Sequence, residues 1–244
     1  MDIIQKAALG VFVSVALTAC GGGGGDSTSS SGNNNNNNTV VNTVMPLNDT
    51  GITWCANNTT NNLDCNTLGS FSGLNQDGEV GRDALAVKGT LSKVGAGEGG
   101  FDLTKIKADG SKLPANATNF SCVLDNRTGL MWEVKTDDSG LRDKDNVYQW
   151  DNAQTFVNSV NAQSLCSYKN WRLPTRIELV NIVDYGQPTI SIEPTYFPNT
   201  QALPYWTSSI GGDVTKAWYV SFDGDTTKYH NKTNSDYIRL VRNP

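Results

Sequence analysis

The first 45 residues decide how much of this 244-residue chain can fold. Lys6 is followed by an apolar run from Ala7 to Leu17, and then by Thr18-Ala19-Cys20. A charged start, an apolar stretch and small residues ahead of a cut make the composition of a secretory signal. The run is too short to cross the ~30 Å hydrocarbon core of a bilayer as a helix. Gly21–Gly25, Ser27–Ser31 and Asn33–Asn38 come next. They have no hydrophobic period and almost no apolar content, so residues 20–45 are expected to form a disordered tether with an rms reach of roughly 25–30 Å. The remaining stretch, 46–244, is long enough for one sizeable core.

Leu17-Thr18-Ala19-Cys20 resembles the bacterial lipobox, in which the cysteine thiol is lipidated, the chain is cut before it and the new amine is acylated. The resemblance implies a signal peptide over 1–19 and palmitate-type chains on Cys20. Because Gly21 rather than Asp follows, it also implies sorting to the outer membrane, with the folded part displayed at the cell surface. Each buried acyl CH₂ contributes about 0.8 kcal/mol, so several chains anchor a protein durably. The bland alternative is an ordinary signal peptide with an incidental Cys20.

The charge balance, 19 Lys+Arg against 24 Asp+Glu, lacks the basic stripe that displaces counterions from phosphates, which argues against nucleic acid as a partner. A single histidine, His230, leaves little material for a histidine-based metal site or a Ser-His-Asp apparatus. Without Cys20 the cysteines are Cys55, Cys65, Cys122 and Cys166. An even number in an exported chain points to disulfides. Of the three connectivities, Cys55–Cys65 with Cys122–Cys166 is favoured; a zinc site is the rival, but it lacks close cysteine pairs and supporting histidines.

Residues 46–121 are rich in Gly, Asn and Asp, with Leu85–Leu91 and Phe101–Ile106 read as short strands. From Cys122 the patterning sharpens. Cys122–Leu124 and Leu130–Val134 flank a glycine-containing turn and predict a hairpin. Asp151 can cap a helix through Asn161 whose apolar positions, Ala153, Phe156, Val157 and Val160, share one face. Thr175-Arg176-Ile177-Glu178 is a capping box; its helix is expected to turn Ile177, Val180 and Val183 inward and to stop near Gly186. Tyr205–Ser209, the alternating Ala217–Phe222 and Tyr237–Val241 predict late strands, with Asp223-Gly224 as a turn. A hairpin, two helices and a late antiparallel sheet make an α+β pattern.

Four ordered segments carry a further resemblance: Asp125-Asn126-Arg127-Thr128-Gly129-Leu130-Met131-Trp132-Glu133, Asn170-Trp171-Arg172-Leu173-Pro174-Thr175-Arg176-Ile177-Glu178-Leu179, Tyr205-Trp206-Thr207-Ser208-Ser209 and Ile238-Arg239-Leu240-Val241-Arg242. Residues 122–244 resemble the domain named after the C-terminal part of the Legionella collagen-like adhesin. Gln76 to Ala84 is similar to a segment many members carry upstream. The resemblance implies a C-type-lectin-like fold with two helices and a small antiparallel sheet, related to the formylglycine-generating enzymes, in exported proteins of which some are adhesins. Trp132, Trp171, Trp206 and Trp218 are expected in the core, and Arg172 and Arg239 are expected to bond carbonyls or carboxylates.

Arg172-Leu173-Pro174-Thr175 is similar to a segment of those enzymes, yet no cysteine follows Cys166, so the late cysteine pair their oxidation needs is missing and no catalysis is expected. Asp143-Lys144-Asp145-Asn146 starts like a calcium loop but lacks its later Gly and Glu. Glu193-Pro194-Thr195 only partly matches the sugar motif of C-type lectins. No cofactor is expected, although a structural calcium is compatible with related lectin folds. Ligands of such folds usually meet the surface near the last strands. That region holds Asp223, Asp225, Thr227, Tyr229, His230, Asn231, Thr233, Asn234, Ser235 and Asp236, a mixture suited to adaptable binding. It also resembles variable regions diversified by retroelements, the alternative being a polar hairpin of fixed sequence. The expectation is a lipid-anchored, non-catalytic module for an extracellular or envelope protein or glycan. The competing readings are an envelope enzyme using Asp143, Asp145 and Asp151, and a structural or assembly lipoprotein.

Overall fold

The turn Asp125–Gly129 sets the centre of the fold. The Asp125 carboxylate accepts hydrogen bonds from the backbone N–H of Arg127 (2.9 Å) and Thr128 (3.3 Å) and from the Thr128 hydroxyl (2.8 Å). Gly129 closes the loop with φ +77°, a left-handed conformation that side chains resist, and donates to Asp125 O. The computed structural model describes residues 46–224 and 227–244. The assignments made for the signal peptide, Cys20, the tether and Asp225 lie outside the described residues.

In chain order the elements are α1 (Gly81–Val87), β1 (Leu103–Ile106), β2 (Cys122–Asp125), β3 (Met131–Glu133), β4 (Tyr148–Gln149), α2 (Ala153–Ala162), α3 (Arg176–Val180), β5 (Pro204–Ile210), β6 (Lys216–Ser221), β7 (Thr227–Asn231), β8 (Ser235–Asp236) and β9 (Val241–Arg242). The architecture is α+β, with short helices and small antiparallel sheets. One sheet runs β1-β2-β3-β9, a second pairs β4 with β8, and a third runs β5-β6-β7. Residues from 46–121 and from 122–244 share the first sheet, because Leu103 pairs with Asp125 and Ile106 with Cys122.

Alternation along the strands divides the core in two. Leu103, Val123 and Trp132 point to one side, with Leu179, Ile182, Val183, Phe197, Tyr205 and Val220. Ile106, Cys122 and Met131 point to the other, with Phe156, Val157, Val160, Trp171, Trp206 and Tyr219. A sheet covered on both faces must bury both sets of side chains, and all of β3 is buried accordingly. The helix expected from Asp151 is α2, and Ala153, Phe156, Val157 and Val160 are its buried face. Its first turn is a 3-10 turn at Trp150–Asn152, and Asp151 does not cap it.

Four expectations need correction. Leu85–Leu91 is not a strand; Gly81–Val87 is helical, with Leu85 and Val87 exposed. Its free N-terminal donor at Asp83 N is satisfied by the Asp49 carboxylate (2.9 Å), a cap supplied from far along the chain. Second, α3 has the capping box but ends at Val180, and Ile177 is 60 % exposed while Glu178 and Leu179 face inward. The cause is Arg172, which grips Glu178 with two parallel bonds (2.8 and 2.7 Å) and so sets the rotation of this short helix. Third, Tyr237–Val241 is not one strand: β8 precedes it, and Ile238–Leu240 is buried irregular backbone before β9. Arg239 sits there fully buried, its fork donating to Glu133 O (2.8 Å) and Thr200 Oγ1 (2.7 Å). Fourth, Trp132, Trp171 and Trp206 are core, whereas Trp218 is half-buried.

Disulfides join Cys55 to Cys65 and Cys122 to Cys166. The second ties β2 to the turn after α2. The start of the described chain is held by carboxylates rather than by apolar contact. Asp83, fully buried, accepts from Gly51 N (2.8 Å) and Gly100 N, while Asn48 donates to Asp125 (2.8 Å). Burial pushes the Asp83 carboxyl up to about 6, the neighbouring charges of Asp49 and Asp184 adding to the effect.

Candidate ligand-binding face

Strand β7 is the edge of its sheet, and its alternation splits the residues proposed for binding. Thr227, Tyr229 and Asn231 pair with Val220, Trp218 and Lys216 of β6 and share their face. His230 points the other way. Its ring packs at a tilt against Tyr219 with 4.2 Å between centroids, and its Nδ1 lies 2.9 Å from Asp236 Oδ2. Asp236 is only 7 % exposed, and burial raises its carboxyl above the ordinary range. His230 and Asp236 are thus one structural pair, joining β7 to β8, and Asp236 sits below the surface. Thr233 and Asn234 are exposed on the turn that links these strands, Ser235 is exposed at the start of β8, and Asp223 is exposed at the start of the β6–β7 loop.

The main chain of β7 is open on one side. Lys232 N donates to Thr215 O (2.9 Å), and the register with β6 continues from that pair. Antiparallel pairs alternate, so Lys228 and His230 turn their backbone groups to β6, while Thr227, Tyr229 and Asn231 turn theirs outward. Among the described residues no other strand pairs with that edge.

Sequence reasoning missed the contribution of α3 to this face. The capping box places Arg176 at the first helical position, and its guanidinium carbon lies 4.5 Å above the Trp218 ring. Trp218 meets Tyr229 edge-on at 5.5 Å, and Lys216 Nζ stands 5.3 Å over Tyr229. Cation, ring, ring and cation therefore alternate across the sheet. Tyr229 is 47 % exposed. Beside this row lies a groove of about 330 Å³ between α3, Thr227 and residues 47–50, with Ile177, Val180 and Val183 as apolar walls. The outward Ile177 that departed from the helical pattern is one of these walls. The cross-strand Trp218–Tyr229 pair was within reach of the alternation pattern; the crossing of α3 was not.

The acidic residues considered for catalysis are not gathered into a site. Asp143 is buried and accepts from the backbone N–H of Asp138 (2.8 Å), Ser139 (2.7 Å) and Asp145 (2.9 Å), which hold its carboxyl below the usual range. Asp145 bonds Lys144 and Gln201. Asp151 is exposed ahead of α2. Glu193 spends both oxygens locally, on Glu98 N (2.9 Å) and on the Thr195 hydroxyl (2.7 Å). Among the described residues no group of three His, Cys, Asp or Glu side chains could hold a metal ion.

The geometry defines a disulfide-tied α+β domain with an open-edged sheet and an aromatic, cation-bearing face. The model of the Lcl C-terminal domain family matches residues 121–242, half of the chain, and the protein belongs to that family. No curated protein matches the chain. The match begins one residue before β2 and ends with β9, so β1 and α1, which complete the first sheet and carry the buried Asp83, lie outside it.

Proposed function

We propose that this chain is a non-catalytic binding module, exported and tethered to the bacterial outer membrane through Cys20, which uses the face built by β6, β7 and the turn to β8 to hold an extracellular or envelope protein or glycan. The observation that carries the reading is the half-exposed row of Arg176, Trp218, Tyr229 and Lys216 beside Thr227, Asn231 and Asn234. Rigid aromatic area next to short polar side chains is how adaptable binding surfaces combine contact with hydrogen bonding. The absence of catalysis is part of the proposal: Asp143 and Glu193 have their oxygens committed to backbone and hydroxyl donors, which leaves them poor proton carriers. No cofactor is required.

The test uses cells expressing the full chain. Incorporation of labelled palmitate is expected in the native chain and absent in Cys20→Ala. Binding to host and bacterial surfaces, and to a glycan array, should fall at least tenfold in Tyr229→Ala combined with Asn234→Ala, with folding unchanged. Persistence of full binding in that variant would remove the face from the reading.

A further inference from the structure

Among the arginines of the described residues, Arg176 is the one whose side chain makes no hydrogen bond. Arg172 is committed to Glu178, Arg239 to Glu133 O and Thr200, and Arg242 to Asn170 (2.9 Å). The Arg176 guanidinium, among the described residues, makes no hydrogen bond and no ion pair; only its backbone N–H is used, on Ser209 Oγ (3.0 Å). It lies over the Trp218 ring, its central carbon 4.5 Å from the centroid, at the wall of the groove. A stacked guanidinium keeps its planar fork of donors free at the rim, oriented in advance, and the geometry of that fork matches a carboxylate.

Two further features lie beside it. The groove is walled by Ile177, Val180, Val183 and Leu47, which suits an aliphatic side chain. The acid in the wall, Asp49, has its oxygens turned to Thr50 N and Asp83 N. Thr227 belongs both to the groove and to β7, whose outward N–H and C=O groups at Thr227 and Tyr229 and outward N–H at Asn231 wait along the open edge, the Asn231 carbonyl accepting from Asn234 N (2.9 Å). A strand added to that edge would place alternate side chains on the α3 side of the sheet, the side on which the groove and Arg176 lie.

We infer that the edge of β7 is a docking site for an extended, acidic peptide segment of a partner protein. The segment adds as a fourth strand, sets an aliphatic side chain between α3 and Thr227, and presents an Asp or Glu carboxylate to Arg176. This rests on the binding-module reading and gives it a partner class. A peptide is favoured over a glycan or a small acid because main-chain groups and an apolar groove run together along the same strand.

The full chain, immobilised, is challenged with a phage-displayed random dodecapeptide library. Enriched peptides are expected to alternate β-branched or aliphatic residues and to carry at least one Asp or Glu. The synthetic consensus peptide should bind Arg176→Gln at least tenfold more weakly. N-methylation of alternate peptide amides should cost at least tenfold. Tyr229→Pro removes the ring and an outward N–H at an edge position, where proline is tolerated, and should weaken binding at least fivefold more than Tyr229→Ala, which removes the ring but keeps that N–H. Denaturant midpoints verify that each variant folds. No enrichment, a basic consensus, or equal affinity for the native chain, Arg176→Gln and Tyr229→Pro would each overturn the inference. Because peptide affinity is measured on purified protein and adhesion on cells, failure of either is seen separately.

Discussion

Three ionisable side chains, Glu133, Lys135 and Arg239, sit buried where β3 meets the segment before β9. Glu133 accepts from Leu240 N (2.9 Å) and faces Lys135 Nζ at 3.3 Å, and Arg239 donates to the Glu133 carbonyl. Only Lys135 meets the Glu133 carboxylate; Arg239 bonds the Glu133 backbone carbonyl and senses the carboxylate at longer range. Burial lowers both Lys135 and Arg239, the Glu133 charge opposing it. Removing the carboxylate is therefore the costly change. Glu133→Gln is expected to destabilise by about 3–5 kcal/mol, as for breaking a buried pair, because it takes the carboxylate from the buried Lys135 ammonium. Lys135→Met, which removes a charge that burial disfavours, keeps the volume and leaves Glu133 the Leu240 N–H, is expected to cost less than about 1.5 kcal/mol. Urea midpoints of the two variants check the order. Arg239 could be singled out from its motif as a buried, hydrogen-bonding arginine. Its partners could not, since Thr200 and Glu133 meet it only when three separate segments converge.

Elements held by local chemistry were legible in advance, and those held from a distance were not. The apolar period of α2 and the Thr175–Glu178 box both describe what formed. The box is worth about 1 kcal/mol in Thr175→Ala, read as a fall in urea midpoint. By contrast, α1 is capped by Asp49 and anchored through Asp83 to Gly51 and Gly100, and its exposed Leu85 and Val87 imitate a strand pattern. Ile177 faces outward because Arg172 rotates α3 by its carboxylate. The two disulfides close loops of different length, 10 and 44 residues. On loop-closure entropy the pair Cys122→Ala with Cys166→Ala should cost about 4 kcal/mol, and Cys55→Ala with Cys65→Ala roughly 1 kcal/mol less. Denaturant unfolding of the two double variants decides whether loop length governs the difference.

Carboxylates buried across the whole molecule make its stability depend on pH. Asp83 is raised to about 6 from an ordinary 3.8, and Asp125, Asp184 and Asp236 are also raised, all chiefly by burial. A raised acid binds its proton in the folded state before the unfolded chain does. Its contribution is therefore lost as pH rises through the folded value and regained on mild acidification. Between pH 7 and pH 5 Asp83 alone should add about 1 kcal/mol, or roughly 2–4 °C in Tm. Glu178, held below its ordinary value by Arg172, acts in the opposite sense only at lower pH. Thermal melts at pH 7, 6 and 5 test this, and Asp83→Asn should flatten the trend; a Tm that falls steadily from 7 to 5 would contradict it.

Period, capping and cysteine parity are local or compositional, and they sufficed for the α+β class, the hairpin, the buried face of α2 and the numbers needed for two disulfides. The binding face is of another kind. Tyr229 and His230 are neighbours in the chain, yet pleating sends one toward Trp218 and Arg176 and the other into a half-buried pair with Asp236. Which side of β7 is covered, which backbone groups stay open and which arginine keeps its donors free depend on how α3 crosses the sheet. That crossing follows from long-range burial and from the Arg172–Glu178 grip, and nothing in the spacing of adjacent residues encodes it.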